Sequence, residues 1–229
     1  MAERKKVSRK KLLKEPDEFI TFSGRMFQFV MKHKTQLTYA VSIVVALIAV
    51  LSGYRFFTIR SENKALALLD EAAAKYQAAM QDQDLNTAYQ AVSGDFQIII
   101  NKYGSKEGGK LARVIFANIC YDAGEYGKAV ELYKESLKNF ENYPLIQNLI
   151  LSALGYAHQQ LNENQLAASY FEQIAASDAQ ILRDEALFNL GVLYDKLGEK
   201  EKSAKAFNQI VSDHQDSIYI NMVKERSAG

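Results

Sequence analysis

The chain has 229 residues, 48% of them apolar, with 12 glycines, two prolines, no tryptophan and a single cysteine. That length admits one ordinary domain or two small ones, the apolar share suffices for a packed core, and so little Pro and Gly argues against long loop-rich or disordered stretches. A formal net charge of +1 hides an uneven distribution: residues 1–34 carry ten Lys or Arg against four acids, residues 35–54 carry no charge, and residues 55–229 carry eighteen basic against twenty-three acidic groups. A basic arm, an uncharged bridge and a mildly acidic body therefore follow one another.

The arm, residues 1–34, opens with the cluster RKKVSRKK. Alone it would pass for a nucleic-acid patch, but beside an apolar run it reads as a topological signal. The segment EPDEFITFSGRMFQFVMKHK follows, with Pro16 suited to a first helical position and Asp17 and Glu18 to the positive end of a helix. Phe19, Ile20, Phe22, Met26, Phe27, Phe29, Val30 and Met31 gather on one broad arc. Two readings stand: an interfacial helix on the inner leaflet, its cations drawn to anionic lipid, or an N-terminal extension of the next helix.

That next element is TQLTYAVSIVVALIAVLSGY, Thr35 to Tyr54. Twenty helical residues at about 1.5 Å each reach about 30 Å, the thickness of a bilayer's hydrocarbon core, so residues 35–57 are predicted to form a transmembrane anchor. A buried soluble helix would keep a polar stripe, which Tyr39 to Leu51 lacks. The 34 residues ahead of the run and its length argue against a cleaved signal, although Val50-Leu51-Ser52 before Gly53 is a passable cleavage site. Close to the span the basic residues balance, Arg25, Lys32 and Lys34 against Arg55, Arg60 and Lys64. Counting the whole arm places the N-terminus in the cytoplasm and residues 58–229 on the far side of the membrane, as an exported body. The lone Cys120 suits an oxidising compartment, where a pair would be bridged.

The body repeats. Leu187, Leu190, Gly191, Tyr194, Leu197, Gly198, Ser203, Phe207 and Ile210 fit the tetratricopeptide pattern, which asks in order for large, large, small, aromatic, Leu, Gly, small, aromatic and small. An earlier copy holds Leu151, Leu154, Gly155, His158, Leu161, Asn162, Ala167, Phe171 and Ile174, and one before it Phe116, Ala117, Cys120, Ala123, Gly124, Ala129, Tyr133 and Ser136. The expected architecture is an all-α right-handed solenoid of helix pairs at about 110–142, 148–180 and 184–216, preceded by a divergent pair at 61–103 and closed by a capping segment at 217–229. Each landmark has a mechanical reason. A Gly or Ala in the first helix admits the second closely, the aromatics Tyr133, Phe171 and Phe207 plug the seam, and Gly124, Asn162 and Gly198 end the first helix in a left-handed conformation.

This framework absorbs GSKEGGK, residues 104–110, which otherwise resembles a phosphate-binding loop. Such a loop needs Ser or Thr after its lysine to hold Mg²⁺, but position 111 is Leu, and no series of strands surrounds it. Ala88, Val92, Phe96, Ile99 and Tyr103 before it keep helical spacing, so GSKEGGK reads as a turn between helix pairs and a nucleotide-binding enzyme as a remote alternative. His33, His158 and His214 show no metal-ligand spacing, and His158 and Cys120 take inward packing positions. No catalytic residue, cofactor, metal, nucleic acid or small-molecule substrate is expected.

What remains is a surface. First helices of such pairs line a concave face, and in this register they contribute Val114, Asn118, Tyr121 and Asp122, then Ser152, Tyr156 and Gln159, then Phe188, Asn189, Val192 and Asp195 as a partner-binding groove. Lys and Arg positions of a clamp for acidic tails are here Val114, Glu185 and Asn189, so an acidic tail is the wrong partner, and basic or apolar segments fit the body's charge better.

The whole layout resembles the YfgM-like ancillary subunits of the SecYEG translocon: a basic arm, an amphipathic segment with Asp17-Glu18-Phe19, an anchor ending in Gly53 to Phe57, and a short acidic repeat array. That resemblance implies a non-enzymatic, single-pass inner-membrane protein whose periplasmic repeats contact the translocon, membrane-anchored chaperones and nascent secreted chains. The array is also similar to periplasmic scaffolds of cell division and outer-membrane assembly, which stand as the alternative.

Overall fold

The computed structural model describes residues 18–82 and 84–228, and the basic cluster of the arm and Pro16 lie outside them. The chain divides into two compact units, Met1–Thr58 and Ile59–Gly229.

The first unit holds α1 (Glu18–Lys32) and, after one residue, the start of α2 (Lys34–Asp82), whose later turns belong to the second unit. The amide of His33 donates to the Phe29 carbonyl at 3.0 Å and the amide of Leu37 to the His33 carbonyl at 2.9 Å, so bonds of helical spacing cross the junction. The His33 ring lies 4.7 Å from that of Phe29. Phe22, Met26, Phe27 and Phe29 on α1, and Val41, Ile43, Val44, Leu47, Ile48, Val50 and Leu51 on α2, are exposed. Among the described residues one helix, over Lys34–Gln81, is long and apolar enough to cross a membrane, with a mean hydropathy of 2.1 in its most apolar window and none of that window buried.

In sequence the anchor and the first helix of the divergent pair look like separate elements, whereas α2 carries both. No proline lies between Tyr54 and Asp82, and Gly53 alone costs only about 1 kcal/mol, too little to end a helix that each added residue extends by another hydrogen bond.

The second unit continues through α3 (Leu85–Tyr103), α4 (Glu107–Asp122), α5 (Tyr126–Asn139), α6 (Pro144–Gln160), α7 (Asn164–Ala176), α8 (Arg183–Lys196), α9 (Lys200–Asp213) and α10 (Ile220–Ala228). Every regular element among the described residues is helical. From α3 onward each helix packs on the next, and α4 also touches α6.

Why the turns fall where they do is visible in three identical closures. Gly124, Asn162 and Gly198 have φ of 81°, 61° and 78°. Their amides donate to the carbonyls of Tyr121, Gln159 and Asp195, and the amides of Glu125, Glu163 and Glu199 reach back to Cys120, His158 and Tyr194. Those paired bonds are the Schellman motif, which satisfies the last carbonyls of α4, α6 and α8. The chain can therefore double back sharply, and α5, α7 and α9 press on the helix before them.

The seams are as tight as the landmark pattern requires. A Cβ at Gly155 would sit 2.6 Å from two ring carbons of Phe171, and one at Gly191 would sit 2.5 Å from Cζ of Phe207. Phe96, Phe116 and Phe171 are wholly buried, and the Phe96 and Phe116 rings stack at 5.3 Å. The apolar layer runs on from Leu69 to Val223, so helix pairs share a core between neighbours.

Candidate partner-binding groove

The segment resembling a phosphate loop has a different use. Its turn spans Gly104–Lys106, and Gly108 and Gly109 already belong to α4 and are buried. A Cβ at Gly108 would lie 2.8 Å from the Leu66 amide nitrogen, so glycine here permits two backbones to touch. The helix N-terminus that would cradle a phosphate holds a carboxylate instead. Glu62 accepts from the amides of Gly108 at 2.9 Å and Glu107 at 3.2 Å. Lys110 pairs with Glu107 at 2.7 Å.

Other isolated chemistry is packed away. His158 is buried, stacks on Tyr170 at 5.2 Å, and meets the Glu163 carboxylate through Nδ1 at 2.5 Å. Burial pushes the Cys120 thiol up to about 11, so it is protonated at neutral pH. Among the described residues no three His, Cys, Asp or Glu side chains gather as a metal site.

The sequence-predicted groove residues fall on α4, α6 and α8. On α4, Val114 packs on the core, and Asn118 accepts from the Tyr133 phenol at 2.6 Å. Tyr121 meets Tyr126 edge-on at 5.3 Å. Asp122 is exposed, yet the protein around it removes enough water to raise its carboxyl pKa. Burial, then the charge of Asp122, raises the phenols of Tyr133 and Tyr76.

The α6 and α8 residues form one network, built by helical spacing. Ser152 and Tyr156 lie one turn apart on α6; Glu185, Phe188, Asn189 and Val192 lie at three- and four-residue intervals on α8. The Ser152 hydroxyl donates to Oε1 of Glu185 at 3.0 Å and the Tyr156 phenol to the same oxygen at 2.9 Å. Asn189 donates to the Tyr156 phenol oxygen at 3.0 Å and to the Glu185 carbonyl at 2.9 Å. Each polar group thus has a fixed sense, and the side chains are held as a unit. Phe188 is covered on one side by Tyr219, stacked at 4.6 Å.

Some predicted residues play other parts. Ser152 is buried, Gln159 and Val192 are half-buried, and Asp195 borders a depression shared with Lys200, Phe207 and Arg226. Two residues that contact the predicted side chains were missed. Glu185 entered the sequence reading only as a failed clamp position, although its four-residue spacing puts it on the same helix face as Asn189. Tyr219 lies in the turn before α10, where no periodicity indicates which way a side chain faces.

Residues 185–217 match the tetratricopeptide-repeat family model. Among solved structures, the chain is similar to a tetratricopeptide-repeat protein from Parabacteroides merdae, at TM-score 0.55 and 16% identity over 69% of this chain and 58% of that one. It is also similar to BtubC from P. vanneervenii, at TM-score 0.53 and 15% identity over 72% and 70% of the two chains. A double mutant of MamA RS-1 gives TM-score 0.51 and 16% identity over 70% and 85%. The aligned region is thus under two thirds of the Parabacteroides chain. No curated protein sequence matches the chain significantly. Helix pairs closed by Schellman turns and plugged by an aromatic against a glycine, with these likenesses, define a tetratricopeptide-repeat fold.

Proposed function

We propose that this chain is a membrane-anchored, non-enzymatic adaptor whose repeat groove holds a protein partner. Arrays of this fold use their extended concave face to bind proteins. The observation that carries the reading is the pairing of a fully exposed apolar stretch in α2 with a repeat array whose groove presents a pre-ordered polar network. In this reading the apolar stretch spans the bacterial inner membrane once, the basic arm stays in the cytoplasm, and the repeats lie in the periplasm. The groove comprises Val114, Asn118, Tyr121 and Asp122, then Ser152, Tyr156 and Gln159, then Phe188, Asn189, Val192 and Asp195. The partners are the Sec translocon, membrane-anchored chaperones and nascent secreted chains, in keeping with the YfgM-like layout of arm, anchor and acidic array.

Site-specific photo-crosslinking in intact membranes tests it. A crosslinker at Gln159 or Asn189 should capture a translocon component or an envelope chaperone, and one at the exposed Glu131 of α5 should not. Septal or outer-membrane assembly proteins captured instead would transfer the adaptor to the division or assembly role. Identical products from Glu131 and the groove positions would overturn the groove.

A further inference from the structure

The carboxylate at the centre of the groove is bonded on one side only. Glu185 is half-buried, and both hydroxyl donors, Ser152 and Tyr156, go to Oε1. Among the described residues no side chain donates to Oε2, and no Lys, Arg or His lies within ion-pair distance. The partly buried cations His158 and Arg113 pair with Glu163 and Glu135, and Arg183 on α8 donates to the Gln180 side chain and the Ser177 carbonyl. Its walls are aromatic: Phe188 one turn along α8, Tyr219 stacked on it, and Tyr156 opposite. The phenol of Tyr219 is raised by burial first and then by the charges of Glu185 and Asp184, so the ring lies within reach of that charge.

We infer that this groove contains a subsite for one cationic side chain, an arginine of a partner polypeptide, seated between Oε2 of Glu185 and the rings of Tyr219 and Phe188. The inference rests on the groove reading above and adds its chemistry. A guanidinium matches what is present on three counts. It donates a planar fork to a carboxylate, it stacks on aromatic faces, and it sheds its water more readily than an ammonium does. The Ser152–Tyr156–Asn189 network fixes the carboxylate before the partner arrives, which spares the ordering entropy that a flexible surface glutamate would lose on binding. The excess of acids over bases in residues 55–229 draws the same kind of partner. A lysine offers the charge without the planar stack, and an acidic residue at that place would be repelled.

Full-length protein in detergent, titrated with labelled eleven-residue peptides of alternating Ala and Leu whose central residue is Arg, Lys, Gln or Glu, tests the subsite by fluorescence anisotropy. The Arg peptide should bind best and the Glu peptide worst, with Arg over Gln by about ten-fold. Glu185→Gln keeps an acceptor for Ser152 and Tyr156, so it should leave the melting temperature near that of the parent and abolish the Arg-over-Gln preference. Tyr219→Leu should narrow the preference for Arg over Lys. Equal binding of Arg and Gln peptides that is still lost on Tyr156→Ala would overturn the subsite while leaving the groove. Binding of all four unaffected by either Tyr156→Ala or Glu185→Gln would overturn the subsite and the groove together.

Discussion

At the scale of single residues, the contacts that decide the fold are those between a missing side chain and a large one. Gly155 faces the Phe171 ring at a distance that leaves no room for a methyl group. Gly155→Ala should therefore cost about 1–3 kcal/mol, since the ring, with 0% exposure, has nowhere to retreat. A urea unfolding curve of the detergent-solubilised protein would read this as a lower midpoint with an unchanged slope, and an unmoved midpoint would mean that the seam is loose. Such residues were legible beforehand because the tetratricopeptide pattern is a pattern of sizes, and size is written in the sequence. The hydrogen-bond sense of Tyr156 was not, because it depends on Glu185 and Asn189 arriving from another helix.

At the scale of elements, helix ends are the informative places. Three first helices end in the same left-handed residue and the same two backbone bonds, and Gly124, Asn162 and Gly198 announce them in advance. The start of α4 was harder to read. GSKEGGK looks like a connecting turn by composition, yet its last four residues are helical, because the carboxylate that satisfies the first two of their amides lies far back along the chain at Glu62. Glu62→Ala should leave two amides at that helix end without their acceptor and cost about 1–2 kcal/mol. Faster amide exchange at Glu107 and Gly108 than in the parent would report it, and unchanged exchange would count against the cap. The continuity of α2 was hidden for the opposite reason: a change from apolar to charged composition at Arg55 marks a change of surroundings, not an end of helical backbone.

At the scale of the whole molecule, buried phenols set the alkaline limit. Tyr133 is 2% exposed and its phenol is raised above the ordinary 10.0, first by burial and then by the charge of Asp122. The folded state therefore keeps its proton where the unfolded chain gives it up. The contribution of each such tyrosine is intact below about pH 10 and falls above it, by up to about 1.4 kcal/mol per pH unit. Urea midpoints measured from pH 8 to 11 should begin to fall past about pH 9, where the unfolded chain gives up the Cys120 proton, and fall more steeply past pH 10. Tyr133→Phe should soften the drop, and a midpoint that stays level through that range would show the phenol to be open to water.

The glycine opposite each ring carries one more implication. Volume across a seam is a shared quantity: whatever position 155 gains, position 171 must give up, and positions 191 and 207 are bound by the same exchange. A drifting lineage could change either member only in company with the other, so these pairs should travel together through sequence space while exposed positions on the same helices vary freely.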